Sequence, residues 1–378
     1  MQTLSAPWLT HAGTQTVLGL LSGAGHQAYV VGGCVRNALL GVAVTDVDIA
    51  TDAPPEQVLE LAQGAGLRAV PTGLAHGTIT LIVAGEGYEV TTFRRDVATH
   101  GRHATVAFSD DLTEDAARRD FTMNALYADA QGTVLDPLGG MADLRARRVR
   151  FVGDARARIH EDYLRILRFF RFHAQYGDPA QGLDADALDA CARGAQGMGQ
   201  LSAERIGAEM RKLLAAPDPA PAVAAMAQCG VLGQVLPGAQ ADALARLIHL
   251  EGNLPPRWLR RLLVLGGKID RLRLTRSEAR HLKQAQAGIA SLQGLVELGY
   301  RLGAEAGGDV VLARAALLES PLPADWQADL LRGAGAVFPV RAADLPHLDG
   351  PALGAELKVL EQRWLASHLQ LSRKDLLA

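Results

Sequence analysis

The sequence predicts an α+β protein, with a small mixed sheet in its N-terminal part followed by an all-α remainder. Two observations carry this. Short runs with strand alternation cluster before Val152, and beyond it a helical period rich in Ala, Leu, Arg and Gln takes over, punctuated at Pro217–Pro221, Gly252–Pro256 and Pro321–Pro323. Size is a third: 378 residues at 48% hydrophobic content supply the apolar material for two or more packed units.

Taken in order, residues 1–25 read as an amphipathic helix carrying Leu18, Leu20 and Leu21 and ended by Gly23 and Gly25. Ala28–Val31 is a short strand that meets Gly32-Gly33, and Cys34–Leu40 is helical. Val47–Ile49 returns to strand and 56–65 to helix. The runs Thr78–Val83 and Tyr88–Phe93 alternate as hairpin strands across Gly85-Glu86-Gly87.

Composition excludes several classes. The longest apolar runs, Ala28–Val31 and Ile79–Ala84, fall far short of the roughly 20 residues needed to cross a bilayer. Met1-Gln2-Thr3 does not open a basic and then apolar leader, so a cytoplasmic protein without membrane contact is expected. Cys34, Cys191 and Cys229 are odd in number and lack CxxC spacing, which argues for packing roles rather than disulfides or zinc. A net charge of -3 gives no global attraction to nucleic acid. The segment Arg257–Lys283 reverses that sign, with nine Lys/Arg against Asp270 and Glu278, a local +7. Its reading as helices with Trp258, Leu262, Leu263 and Leu272 inward and arginines outward makes Arg257, Arg260, Arg261, Arg271, Arg273 and Arg276 candidate RNA contacts.

The chemistry centres on Asp46 and Asp48. On a strand, residues at i and i+2 share a face, so the two acids can share a divalent ion, and magnesium is the natural occupant for hard oxygen ligands. Such ions can activate a hydroxyl and stabilise a leaving pyrophosphate. Taken alone, a DxD is more often a solvated strand end. The context adds to it: Gly32-Gly33 stands between a strand and a helix whose N-terminus can take phosphate oxygens, with Arg36 following. Glu89, inward-facing on the Tyr88–Phe93 run, is the candidate third carboxylate. No GxxxxGK[ST] loop occurs. Further on, Glu161-Asp162-Tyr163-Leu164-Arg165 opens a helical run through Phe172, placing Glu161, Asp162 and Arg165 on one face as fixed donors and acceptors.

Val30-Val31-Gly32-Gly33-Cys34-Val35-Arg36-Asn37-Ala38-Leu39-Leu40-Gly41 followed by Thr45-Asp46-Val47-Asp48-Ile49 resembles the head signature of the class II tRNA nucleotidyltransferases, relatives of bacterial poly(A) polymerase. The family usually has Asp where this chain has Asn37. Glu161–Phe169 resembles its EDxxRxxR motif, which implies that Asp162 and Arg165 read the base edges of CTP and ATP, with Glu161 and Arg168 beside them. Arg118–Leu126 resembles RRDFxxNA, which implies nucleotide contacts for Arg119, Asp120 and Asn124. Residues 95–117, with Arg95-Asp96 and Gly101-Arg102-His103, resemble the flexible loop that helps switch from C to A. The stretch from Asp344 to Glu361 resembles, more loosely, a tail that meets the tRNA elbow.

The resemblance implies a nucleotidyltransferase head at 1–150, a nucleotide-selecting neck at 151–215 and a tRNA-binding body and tail at 216–378. It implies Mg2+-dependent addition of CCA to tRNA from CTP and ATP. The alternatives are an A-adding enzyme working beside a separate CC-adding enzyme, a poly(A) polymerase, and a tRNA-binding protein with an inactive head.

Overall fold

The computed structural model describes residues 2–100 and 103–378, and the side chains of all of these except 96–100 and 103–106. Gly101 and Arg102 of the expected loop lie outside the described residues. The chain forms two compact units, one of residues 1–209 and 221–235, the other of 210–220 and 236–378.

Among the described residues the first unit holds nine strands: β1 (Ala28–Val31), β2 (Asp48–Thr51), β3 (Arg68–Gly73), β4 (Thr78–Val83), β5 (Glu86–Thr92), β6 (Arg94–His100), β7 (His103–Phe108), β8 (Tyr127–Ala128) and β9 (Val134–Leu135). Seven form a mixed sheet in the order β3-β4-β5-β2-β1-β8-β9, and β6 and β7 pair separately. Within the seven, β2 and β5 run parallel and the other neighbours antiparallel.

The hairpin between β4 and β5 turns earlier than expected. Val83 pairs with Glu86, which leaves Ala84 and Gly85 as the two turn residues with φ of 52° and 87°. Two left-handed residues match the twist of the flanking strands, so Glu86 and Gly87 continue the ladder.

One sheet face is covered by helices Ala12–Gly23 and Pro55–Gly64, which bury Val17, Leu18, Leu21, Val58 and Ala62 with Ile79, Leu81, Tyr88 and Val90 of the sheet. The N-terminal helix expected over 1–25 is two pieces, Pro7–Thr10 and Ala12–Gly23, because His11 between them is extended. The opposite face packs Val31, Ala50, Phe93, Ala125 and Tyr127 together. Strand alternation therefore sends Asp48, two residues before Ala50, to this second face.

The helical part of the unit is joined to the sheet by aromatic rings. Phe121 packs at a tilt against Phe151 at 5.0 Å and Phe172 at 4.8 Å between centroids, and Phe151 stacks on Phe169 at 5.8 Å. All three cysteines are free thiols; Cys34 is buried, and burial raises its pKa to about 11.

The second unit is helical. The stretch Leu295–Leu318, two helices joined by a kink at Gly303, packs on Trp326–Ala334 through glycines: a Cβ on Gly299 would meet the Leu330 carbonyl at 2.1 Å, and one on Gly333 the Val296 carbonyl at 2.0 Å. No helix among the described residues is long and apolar enough to cross a membrane.

Candidate active site

β2 begins at Asp48, so the expectation that Asp46 and Asp48 share a strand face does not hold. Asp46 precedes the strand, where Thr45 Oγ1 donates to it at 2.9 Å. The parallel register places Glu89 directly opposite Asp48, on the same face. Glu89 is exposed rather than inward-facing, because Tyr88 and Val90 take the core positions of β5. Asp48 is exposed by area yet has enough protein around it to be desolvated. Its pKa is raised first by that desolvation, then by Glu89 and Asp46, while Arg119 opposes.

Arg119 is held by two partners that the sequence reading missed. It donates to Asp115 at 2.9 Å and to the Tyr127 hydroxyl at 3.0 Å, and that hydroxyl donates to Asp115 at 2.7 Å. Asp115 is 1% exposed and also pairs with Arg118 at 2.7 Å. Burial pushes the Asp115 pKa up, but Arg119 and Arg118 outweigh it and the net shift is down. The pair's contribution to stability is therefore present above the ordinary carboxylate pKa and is lost as pH falls through the depressed value.

Gly32 has φ 74° and ψ -116° and donates its N–H to the Leu126 carbonyl at 3.1 Å. A Cβ there would lie 3.2 Å from Arg119 Nη1 and 3.7 Å from the Asn124 carbonyl. Only glycine accepts this backbone without strain. Gly32→Ala is expected to lower stability by about 1–3 kcal/mol, checked by the denaturant midpoint. Gly33 then opens helix Gly33–Leu40.

Arg36 is buried at 6% exposure, with Nη2 bonded to the Tyr176 hydroxyl at 2.9 Å and its guanidinium stacked on the Tyr176 ring at 4.1 Å. It also donates to Asn124 Oδ1 and to Asn37 Oδ1. Asn37 in turn donates Nδ2 to the Ala43 carbonyl at 2.9 Å, tethering the loop that leads to Asp46. Asn124 donates to Asp120 at 2.8 Å, and Arg168 closes on Asp120 through Nε at 2.7 Å and Nη2 at 2.5 Å. Arg36, Asn124, Asp120 and Arg168 thus form one chain of hydrogen bonds from helix Gly33–Leu40 to helix Leu164–Tyr176.

The helical run expected from Glu161 through Phe172 is broken. Ala155–Glu161 ends before Asp162, whose backbone is extended and whose Oδ1 accepts the Leu164 N–H at 3.1 Å. A short acid that caps a following helix leaves the helix it follows. Asp162 and Arg165 consequently take separate partners. Arg205, absent from the sequence reading, donates to both Asp162 oxygens at 3.2 and 2.6 Å, and Arg165 pairs with Glu161 and reaches the Arg158 carbonyl at 2.9 Å.

The basic segment of the second unit needs correction. Arg260 and Arg261 point inward, at 4% and 2% exposure. Glu251 receives Arg260 at 2.7 Å and Arg261 at 2.8 Å, and Arg261 also donates to the carbonyls of Leu214, Ala216 and Pro217. Arg257 pairs with Glu305 at 2.6 Å and with buried Asp309 at 3.2 Å. These three serve the interior because a buried acid must have a cation beside it. Arg273, Arg276, Arg280, Lys268 and Lys283 are exposed, Arg271 is half-buried, and Leu262, Leu263 and Leu272 are buried as expected.

Residues 28–150 match the poly A polymerase head domain, and 183–242 match the probable RNA and SrmB-binding site of polymerase A. The chain is 32% identical over 389 residues to the CCA-adding enzyme of Levilactobacillus brevis, covering 96% of this chain and 95% of that one. It is 45% identical over 203 residues to mouse CCA tRNA nucleotidyltransferase 1, mitochondrial, a match covering 53% of this chain and 47% of the relative. The match thus spans about half the length of that relative. The crystal structure of Bacillus stearothermophilus CCA-adding enzyme in complex with CTP superposes with a TM-score of 0.75 at 29% identity, over 96% of this chain and 94% of the other.

Proposed function

We propose that this chain, which belongs to the CCA-adding enzyme family, transfers nucleotides from CTP and ATP to the 3′ end of tRNA and so builds or repairs its CCA. The observation that supports this most is the Asp48–Glu89 register beside Arg119: two carboxylates on one sheet face, one with a raised pKa, next to a fixed cation.

The donor set suits a divalent ion. Mutual repulsion among Asp46, Asp48 and Glu89 is what a bound cation relieves, and all three offer hard oxygen. Among the described residues no group of three or more His, Cys, Asp or Glu is placed to hold a metal ion by itself; magnesium needs only one or two carboxylates, with waters and substrate phosphates as its other ligands. Held by Asp46 and Asp48, it would supply positive charge for the transferring phosphate and a lowered pKa for the attacking hydroxyl.

The chain's own residues do the rest. The N-terminus of helix Gly33–Leu40 and Arg119 offer positive potential for phosphates, and the Arg36–Asn124–Asp120–Arg168 chain fixes the neck helix against the head. Asp162, clamped by Arg205, and Arg165, clamped by Glu161, present an acceptor and a donor to the base edge. Arg205→Ala is expected to reduce discrimination of CTP and ATP against UTP and GTP roughly tenfold, the scale of one good hydrogen-bonded base contact. Competition assays check it; unchanged selectivity would remove Asp162 from base reading.

The test of function is incubation with labelled CTP or ATP and tRNA lacking CCA, ending in C, or ending in CC. C should enter the first two and A the third. Entry of A alone would make the chain an A-adding enzyme, and no incorporation would sink the proposal.

A further inference from the structure

Asp48 is fixed by the β2 ladder, but Asp46 precedes that strand, so its place depends on the loop that carries it. We infer that Asn37 is a positioning residue for the divalent ion: through Ala43 it holds this loop where Asp46 and Asp48 can share the ion. This rests on the metal role proposed above for the two aspartates and deepens it.

Helix Gly33–Leu40 ends in a Schellman motif. Gly41 takes φ 69° and ψ 23°, its N–H reaches the Ala38 carbonyl at 3.2 Å, and Val42 donates to the Asn37 carbonyl at 2.8 Å. The Asn37 side chain takes the next residue, donating Nδ2 to the Ala43 carbonyl at 2.9 Å. One residue thus grips two successive loop positions, and Asp46 follows three residues after the second.

The amide is oriented from both ends. Arg36 can only donate, and its Nε and Nη2 meet Oδ1 at 3.1 and 2.8 Å, while the Ala43 carbonyl can only accept, so the nitrogen faces it. The same Nη2 donates to the Tyr176 hydroxyl at 2.9 Å, which anchors the oxygen end to helix Leu164–Tyr176. A carboxylate at this position would satisfy Arg36 but turn an oxygen on the Ala43 carbonyl. Asn37 is therefore no neutral exchange for the Asp usual in the family, since in this chain the amide supplies a donor that Asp lacks. Without that donor the loop visits other positions, and the ion meets both carboxylates in a smaller share of molecules. The apparent dissociation constant rises by the reciprocal of that share, and one net hydrogen bond corresponds to a factor of about two to ten.

The test uses the full chain without nucleotide and Mn2+ alone, the bound ion being counted by electron paramagnetic resonance. Asn37→Ala loses both side-chain bonds but keeps the backbone bonds of the Schellman motif, so circular dichroism should be unchanged while the dissociation constant for Mn2+ rises about fivefold. Asn37→Asp separates the two ends, because it keeps the acceptor for Arg36 and loses the donor to Ala43. Elastase, which cuts beside small residues, reads the loop directly in the metal-free proteins. Cleavage between Val42 and Val44, located by mass spectrometry, should be about fivefold faster in both variants than in the parent. An unchanged Mn2+ constant for Asn37→Ala, no Mn2+ binding by the parent, or parent-like cleavage of Asn37→Asp overturns the inference. None of these readings needs turnover, so absent incorporation by the parent counts against the proposed function alone.

Discussion

Asp48→Ala and Asp48→Asn should each lower nucleotide incorporation by about a thousandfold or more, the several kcal/mol that metal charge stabilisation contributes to such a step. Binding of tRNA, measured by filter retention, should change by less than about twofold, since one carboxylate removed from an anion-binding region loses no phosphate contact. Stability should move the other way. The Asp48 pKa is raised by desolvation, Glu89 and Asp46, so its ionised form is disfavoured by folding, and the penalty grows as pH rises through the raised pKa. The Asn variant should therefore melt no lower than the parent at neutral pH. Loss of activity without loss of stability marks a side chain kept for chemistry. Normal turnover by either variant would remove Asp48 from the reaction.

The parts of this arrangement that sequence reveals are the local ones. Ala28–Val31 and Thr78–Val83 emerge with the bounds that their patterning predicts, because apolar character and turn glycines mark both ends. β8 and β9, of two residues each, carry no period to detect. β3, running from Arg68 to Gly73, holds Pro71 and only a short apolar stretch, and it is legible only as an edge strand once β4 is in place. In the site, the motif residues were visible but their long-range partners were not. Arg205 reaches Asp162 across 43 positions and Tyr127 meets Arg119 through the fold, whereas Asp115 stands four residues before Arg119, a helical spacing that was open to detection. The break at Asp162 had a local signal, an acid able to cap the next turn, which the run of helix formers after it obscured.

The same blindness to long-range partners misassigned the basic segment, and it leads to the second large effect. Glu251→Ala should destabilise the protein by about 3–5 kcal/mol, because it takes the counter-charge from buried Arg261 and leaves buried Arg260 only Asp309 at 3.5 Å, and breaking a buried pair from one side costs more than the pair contributes. Arg260 and Arg261 both close on this carboxylate, which is itself 4% exposed. Arg261 keeps its three carbonyl acceptors but loses its counter-charge. Glu251→Gln, which retains acceptor oxygen without the charge, should lose less, and chemical denaturation followed by circular dichroism separates the two. The exposed arginines should behave in the opposite sense. Arg276→Ala and Arg280→Ala are expected to leave the denaturation midpoint within about 0.5 kcal/mol, while weakening tRNA binding and lowering its salt slope by about one each. This crossed outcome distinguishes charge that builds the helical unit from charge offered to RNA. A Glu251→Ala protein as stable as its parent would mean that the buried arginines find other compensation, and the inward assignment of Arg260 and Arg261 would fail.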